Sequence, residues 1–278
     1  MTAETVIAHI DFFSSERGLA RQYKIRYPRL ALILDRLYDA ALATSGAMAR
    51  VRRTARPSPS RRILVAGVES PNRHGEMTRV VEALVSSKHR IETSVIAMGD
   101  RGKFANIEAA IAAAPSPLDS YDWLVIVDDD VDFAPSFLDD FIAASEAADL
   151  AIAQPAHKFD SYANYRLTHR RWGALVRHTR FVEIGPLTAL RRDTFSHMVP
   201  FPASRWCYGI DVYWSALADA HGWRMGVVDG APIRHLRPVA KAYDSAGAVA
   251  EGREMLARLG VSIDRVSILG PGRIAIGW

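Results

Sequence analysis

The sequence predicts an α/β fold in which one mostly parallel sheet is flanked by helices, with a helical extension at the N-terminus. Short apolar segments alternate with segments whose apolar residues recur at three- and four-residue steps, a pattern typical of parallel strands joined by helical crossovers. The most apolar strand, residues 123–127, stops at an acidic run, residues 128–132. Because such sheets bind ligands at the carboxyl ends of their strands, we expect the functional site at this run.

The composition is that of an ordinary globular protein. A length of 278 residues with 49% hydrophobic residues suits one α/β domain with an appendage and a large core. The net charge of +4 gives no reason to expect a nucleic-acid partner. The single cysteine, Cys207, excludes an intrachain disulfide and is typical of a reducing compartment. Since residues 1–10 do not have the apolar core of a signal peptide, we expect a cytoplasmic protein.

Residues 1–60 are expected to form a helical extension and a linker. Apolar residues over 30–42 follow a helical period, but the segment is too short and too charged to span a membrane. Basic residues flank it on both sides, which would suit peripheral contact with an anionic membrane, although docking on its own domain is the preferred interpretation. Pro57 and Pro59 predict a linker over residues 54–60. The main domain, the second of the two, is therefore expected over residues 61–278.

Periodicity and turn residues predict the order of the elements in that domain. Strands are expected at residues 62–68, 93–98, 123–127, 150–154 and 224–228, and helices at residues 77–85, 104–113, 135–146 and 210–221. Residues 181–190 are expected to be extended. Residues 161–180 are rich in Arg, His and aromatic residues and are expected to be a solvated, mobile loop that could attract an anionic acceptor or a diphosphate.

The acidic run is the strongest chemical signal. In extended chain, Asp128 and Asp130 project to one side and Asp129 to the other. Two carboxylates on one side favour a hard divalent cation such as Mn²⁺ or Mg²⁺, which commonly shares phosphate oxygens, so a nucleoside diphosphate is a natural co-ligand. An acidic loop capping the helix at Pro135 is the alternative.

A second segment, Gly102-Lys103-Phe104-Ala105-Asn106, resembles the Gly-Lys…Asn segment that many family-2-like glycosyltransferases have near the donor nucleotide. The resemblance implies that Lys103 offsets phosphate charge and that Asn106 orients the site. An exposed lysine at a helix start is the alternative interpretation.

Six motifs then follow one another between Asp122 and Leu236: Trp123…Asp128-Asp129-Asp130, Ala153-Gln154-Pro155-Ala156, Phe181-Val182-Glu183, Gly209-Ile210-Asp211, Gly226-Val227-Val228-Asp229 and His235. Their succession resembles the GT-A-type, family-2-like glycosyltransferase superfamily, and within it a glycosyltransferase-like domain family of unknown function found in plants and bacteria. The first 60 residues lie outside the resemblance. It implies a Rossmann-type GT-A sheet, a nucleotide-sugar donor and a hydroxyl acceptor that is a saccharide, a lipid-linked molecule or a small molecule.

The resemblance also implies roles for particular residues. Donor-binding residues would be Gly67, Glu69, Lys103, Asn106, Asp128, Asp129 and Asp130, and the ligands of Mn²⁺ or Mg²⁺ would be Asp128, Asp130 and His235. A lone histidine is more often a hydrogen-bonded residue than a metal ligand, so the assignment of His235 depends on the resemblance.

Two acidic residues are candidates for catalysis. Asp211 matches the general base of inverting relatives, which takes the proton of the acceptor hydroxyl. Its alternative role is a helix N-cap. Because Ile210 stands where the inverting signature has Glu, a retaining mechanism stays open. Glu183 could bind sugar hydroxyls or act as an alternative base, and a salt-bridged strand residue is the other interpretation.

Two other functions remain open. In haloacid-dehalogenase-like phosphatases a nucleophilic Asp also follows an apolar strand, but Asp132 stands where that family has Thr or Val, and two strands precede the motif here. A catalytically degenerate sugar-nucleotide or carbohydrate-binding module would keep the fold without turnover. Turnover of a labelled donor separates this module from an enzyme.

Overall fold

A computed structural model of the chain describes residues 28–55, 59–73, 75–238, 245–261, 270 and 272–278. These residues form one mixed sheet between two layers of helices, which confirms the predicted α/β class. The helices are α1 (Pro28–Ser45), α2 (Ala47–Ala55), α3 (Glu76–Val85), α4 (Lys103–Ala112), α5 (Phe137–Ala147), α6 (Phe195–Met198), α7 (Ile210–His221) and α8 (Ser245–Arg258). The strands are β1 (Arg62–Glu69), β2 (Arg90–Ala97), β3 (Trp123–Val127), β4 (Val131–Phe133), β5 (Ile152–His157), β6 (Ala174–Thr179), β7 (Leu187–Arg191), β8 (Met225–His235) and β9 (Arg273–Gly277).

The order of strands across the sheet is β2-β1-β3-β7-β5-β8-β6-β9, and β4 pairs with β8. β1 is parallel to β2 and β3, and β5 is parallel to β8. β7, β6 and β4 run in the opposite direction to their neighbours. Of the strands in the described residues, β1, β2, β3, β5, β8 and β9 therefore share one direction. The sheet is mostly parallel in this sense, with antiparallel strands inserted in its second half.

Both faces of the sheet are buried. α1, α2, α3 and α5 contribute to one hydrophobic cluster and α4, α6, α7 and α8 to another. Residues of β1 alternate between the two, because successive side chains of a strand point to opposite faces. Ile63 and Val65 lie in the first cluster, and Leu64 and Ala66 lie in the second. This burial on both faces explains why the parallel strands are continuous apolar runs in the sequence.

α1 packs against the sheet layer through one face. The Tyr38 hydroxyl donates to Ala174 O at 2.9 Å, and the Arg170 guanidinium lies 3.7 Å from the centre of the Tyr38 ring. The outward face exposes Leu30, Ile33 and Leu37. Docking of this helix on its own domain agrees with the preferred interpretation of the sequence, and membrane contact through the outward face stays a prediction.

Among the described residues, no helix combines the length and the apolar character that crossing a bilayer requires.

Several local expectations are wrong. Thr54 and Ala55 belong to α2, so the predicted linker starts too early, and its Pro57 lies outside the described residues. Residues 161–180 are not a solvated loop: they include β6, and two of their arginines are buried in ion pairs. Arg170 pairs with Asp35 at 2.9 Å, and Arg177 pairs with Asp229 at 2.8 Å. The strand predicted to end at residue 228 continues to His235 as β8.

Candidate active site

The carboxyl ends of β1, β3, β5 and β8 meet at one edge of the sheet, because these strands share one direction. A pocket opens there. Predicted site residues from five segments line it: Lys103, Asp128, Glu183, Asp211 and His235. The structure thus brings together side chains that are far apart in the sequence, as the topology of an open α/β sheet predicts.

Asp128 follows β3 directly and faces the pocket. Its backbone N donates to Pro186 O at 2.8 Å, which joins the end of β3 to the segment preceding β7. Gly185 is next to it. A Cβ atom at this glycine would lie 2.8 Å from Lys103 Nζ and 3.1 Å from Asp128 Oδ2, so the absence of a side chain makes room for this pair.

Lys103 is the first residue of α4, and its Nζ lies 2.6 Å from Asp128 Oδ1. The turn before it is held by Asn106, which accepts from Gly99 N at 3.2 Å and donates to Gly99 O and Gly102 O at 3.1 and 2.8 Å. The side-chain amide of Asn106 is therefore used within the turn that presents Lys103. A direct contact of Asn106 with a donor stays a prediction.

Asp129 and Asp130 do not continue the extended chain, because they form the turn between β3 and β4. Asp129 Oδ1 lies 3.2 Å from Arg73 Nη1 and 3.8 Å from Arg237 Nη1, and Asp129 Oδ2 accepts from Ser70 N at 3.4 Å. Burial raises the pKa of Asp129 despite these partners. The alternation expected for an extended segment is therefore wrong at this point.

Asp130 pairs with His235, whose Nε2 lies 3.2 Å from Asp130 Oδ1. Burial alone would lower the pKa of His235, but the hydrogen bond and the charge of Asp130 outweigh it and raise this pKa. Burial alone would raise the pKa of Asp130, but His235 lowers it overall. The other ring nitrogen of His235, Nδ1, is buried and has no hydrogen-bond partner among the described residues.

Within the described ranges, no three His, Cys, Asp or Glu side chains are gathered as a metal site would require. Two of the three predicted ligands, Asp130 and His235, are adjacent, whereas Asp128 is held by Lys103. The metal site stays a prediction.

Glu183 is buried and lines the pocket. Its Oε1 accepts from Thr168 Oγ1 at 2.8 Å and from Tyr165 N at 3.0 Å. Burial raises the pKa of Glu183 to about 7. Its Oε2 lies 3.8 Å from His157 Nε2, and burial lowers the pKa of that histidine well below its usual value, so this imidazole is neutral. Glu183 is accordingly a carboxyl group whose protonation changes near neutral pH.

Asp211 is the second residue of α7. The cap position is Gly209, which has a left-handed φ of 87° and no side-chain cap bond, so the N-cap interpretation of Asp211 is wrong. Asp211 Oδ1 accepts from Val212 N at 2.9 Å. Burial raises the pKa of Asp211 to about 7. A second carboxyl group that titrates near neutral pH therefore faces the same pocket.

Gly67 and Glu69 lie in the last part of β1. A Cβ atom on Gly67 would lie 2.8 Å from Met77 Cε, so this glycine permits close packing of α3. Glu69 Oε1 accepts from Gly75 N at 3.3 Å. Their contacts with a donor stay predictions.

Residues that no sequence pattern assigned to the site also line the pocket, among them Asn164, Trp206 and Tyr208. Tyr165 lines it as well and belongs to the aromatic-rich segment 161–180. Asn164 Oδ1 is buried without a hydrogen-bond partner among the described residues. The segment containing Trp206 is tied to α8, because Glu251 accepts from Arg205 N at 2.6 Å and from Trp206 N at 2.9 Å. The aromatic residues immediately before Gly209-Ile210-Asp211 were the available signal.

Comparisons with known proteins give no family assignment. No family model matches the sequence, and no curated protein matches it significantly. Among solved structures, the catalytic domain of Drosophila beta1,4galactosyltransferase 7 in complex with xylobiose is 14% identical with a TM-score of 0.45, over 68% of this chain and 79% of that chain. The structure of A197 from STIV is 16% identical with a TM-score of 0.42, over 61% of this chain and 82% of that chain. Similarity of this degree concerns general architecture and not activity, so membership of a glycosyltransferase family stays a prediction.

Proposed function

We propose that this chain is a glycosyltransferase that moves a sugar from a nucleoside-diphosphate sugar to a hydroxyl acceptor. One observation carries the proposal: Asp211, a buried carboxyl group with a pKa of about 7, faces the same pocket as the Lys103–Asp128 pair. A general base works best with a pKa near the operating pH. A departing diphosphate needs positive charge close by. The pocket combines the two requirements.

On the acceptor side, Asp211 takes the proton of the acceptor hydroxyl while the hydroxyl oxygen forms a bond to the anomeric carbon. The bond between that carbon and the diphosphate oxygen breaks, and its electron pair leaves with the diphosphate. Attack from the side opposite the leaving group inverts the anomeric configuration, so we propose an inverting hexosyltransferase.

On the donor side, Lys103 is the cation nearest to Asp128 in the pocket. Its ammonium group would donate to the diphosphate and stabilise the charge that develops as the sugar leaves. Asp128 and the turn held by Asn106 would keep Lys103 in position.

Glu183 has a different proposed role. Below a pH of about 7 it carries a proton, and a neutral carboxyl group can both donate to and accept from a sugar hydroxyl. Trp206 and Tyr208, which line the same pocket, supply apolar ring faces against which a sugar can pack, as in other small-molecule sites. Glu183 as an alternative base stays a prediction.

The cation expected from the sequence, Mn²⁺ or Mg²⁺, would be held by Asp128, Asp130 and His235. Carboxylate oxygens suit these ions. However, Asp128 is paired with Lys103, and Asp130 is paired with His235. Metal ligands must be deprotonated, and a cation would also have to displace Lys103 from Asp128. This donor set therefore does not fit a ready metal site.

The test begins with donor binding. UDP-, GDP- and dTDP-linked sugars are screened by thermal shift with and without Mn²⁺, since a ligand that binds only the folded state raises the melting temperature. Transfer from the stabilising donor is then measured with Asp211→Asn. We expect unchanged donor binding and a loss of transfer of about 10²-fold or more, because general base catalysis contributes that much.

Three outcomes would contradict this assignment. Stabilisation by none of the donors would favour the phosphatase or another function. Donor binding without turnover by the wild type would favour a degenerate binding module. Full activity of Asp211→Asn would remove this residue from the mechanism.

A further inference from the structure

Asp128, Asp129 and Asp130, the first three carboxylates of the acidic run, each already have a basic partner. Asp128 Oδ1 lies 2.6 Å from Lys103 Nζ, Asp129 Oδ1 lies 3.2 Å from Arg73 Nη1, and Asp130 Oδ1 lies 3.2 Å from His235 Nε2. Two of the residues expected to bind a metal are thus already paired with each other, namely Asp130 and His235. A cation entering here would have to displace Lys103 from Asp128 as well.

The position of Lys103 depends on two glycines, Gly102 and Gly185. Gly102 has φ 92° and ψ 161°, and a Cβ atom there would lie 2.6 Å from Arg205 O. Gly185 leaves the space in which Lys103 Nζ meets Asp128, since a Cβ atom would lie 2.8 Å from this nitrogen. Two glycines that no side chain could replace without a shift therefore surround this one ion pair.

We infer that Lys103 supplies the positive charge that a divalent cation was expected to supply, so that a nucleoside diphosphate binds this site without added metal. The inference rests on the proposed function. An ammonium group has three donors, and Asp128 Oδ1 accounts for one of them. Lys103 can therefore keep Asp128 and contact a diphosphate together, whereas a metal on Asp128 would first have to break this pair.

The test measures binding and not turnover. UDP, GDP and dTDP are titrated into the protein by calorimetry, once in EDTA and once in Mn²⁺. We expect one of them to bind the wild type with the same affinity in both buffers. Lys103→Gln should weaken binding in EDTA by about tenfold or more, the loss expected for one charge-assisted hydrogen bond. Mn²⁺ should restore part of it, because Asp128 is then unpaired.

Two matched variants make the result specific. Lys103→Arg keeps a cation at the same place and should retain binding in EDTA. If Lys103→Gln does not fold, the comparison of the wild type in EDTA and in Mn²⁺ still tests the inference. Arg101→Gln removes an exposed positive charge two positions earlier and should leave binding unchanged.

The outcomes separate this inference from the proposed function. Binding to the wild type in Mn²⁺ but not in EDTA would overturn the inference and leave the proposed donor class intact. An equal loss in Arg101→Gln and Lys103→Gln would also overturn it, because the effect would then be general charge. Binding of none of the three nucleotides in either buffer would overturn the proposed function and the inference with it.

Discussion

At the scale of single residues, two carboxyl groups define the chemistry of the pocket. Burial raises the pKa of both Asp211 and Glu183 to about 7, and the negative charge of Asp211 also contributes to raising that of Glu183. Carboxyl groups whose pKa values are moved this far by their surroundings are typical of acid and base catalysts, although buried structural groups show the same effect. Kinetics as a function of pH can separate the two roles.

If Asp211 is the base, kcat/KM should rise as the pH increases through about 7, because only the ionised carboxylate accepts a proton. Glu183→Gln should keep this rise while changing KM, since the amide still offers a donor and an acceptor to a sugar. A pH and rate profile of the wild type and of this variant checks the assignment. Loss of the rise in Glu183→Gln, with the rise kept in Asp211→Asn, would exchange the two roles.

The sequence made some site residues predictable for a physical reason. Asp128 follows a fully buried strand, so its charge had to emerge at the strand end, and Asp211 stands at the start of a helix predicted with its observed bounds. Trp206 could not be found in this way. Its position depends on Glu251, which is 45 residues later in the chain and belongs to a helix that was not predicted.

At the scale of elements, the conformation of the residue before a helix decides where the first side chains of that helix lie. α3 and α4 both begin after a glycine with positive φ, but the two glycines differ. Gly75 has φ 87° and ψ −10°, and a Cβ atom there would meet nothing within 4 Å. Gly102 has ψ 161°, a combination that is essentially restricted to glycine, and its Cβ would meet Arg205 O.

Gly102→Ala should therefore destabilise the fold by roughly 1–3 kcal/mol from the backbone alone, and further through the contact with Arg205. Gly75→Ala is the matched control, and it should cost only about 1–2 kcal/mol for a left-handed residue. Urea unfolding of both variants gives the two free energies. Nucleotide binding should fall with Gly102→Ala, because the turn presents Lys103. Equal losses of stability in the two variants would contradict the role assigned to the contact with Arg205.

The elements that were predicted are those with a strong local pattern. β3 and α7 have their predicted bounds. The predicted strand ended at residue 228, earlier than β8 does, and the residues that follow, Asp229-Gly230-Ala231-Pro232, have the composition of a turn. The strand continues because the buried Asp229 carboxylate accepts from Arg177 and from Arg171 N, a long-range arrangement that periodicity does not report. β4, with three residues, was too short to detect.

At the scale of the whole molecule, the parallel half of the sheet was predictable and the antiparallel half was not. β1, β2 and β3 are joined by helices, so their parallel pairing follows from the order of elements. β7 inserts between β3 and β5, and this insertion brings Glu183 and Gly185 to the pocket. Pairing between strands so distant in sequence depends on tertiary packing that local patterns do not contain.

The same burial that prepares the site should make the stability of the molecule depend on pH. The pKa of Asp211 is raised from 3.8 to about 7 on folding. Below pH 4 the carboxyl group of Asp211 is protonated in both the folded and the unfolded state, so its ionisation does not reduce the stability of the fold. As the pH rises towards 7, the unfolded chain releases the proton while the folded chain keeps it, so stability is lost until the pH passes the folded pKa. Glu183 acts in the same direction.

Asp211→Asn removes this loss. The free energy of unfolding of the variant, relative to that of the wild type, should increase by about 2–4 kcal/mol between pH 4 and pH 8. A constant effect of the amide on this free energy at every pH would not change the increase. Asp219→Asn, an exposed position on α7, is the control and should follow the wild type. Urea unfolding at several pH values gives the three curves. A constant difference between Asp211→Asn and the wild type across this range would mean that Asp211 ionises normally in the folded protein, and the general base would then have to be sought elsewhere in the pocket.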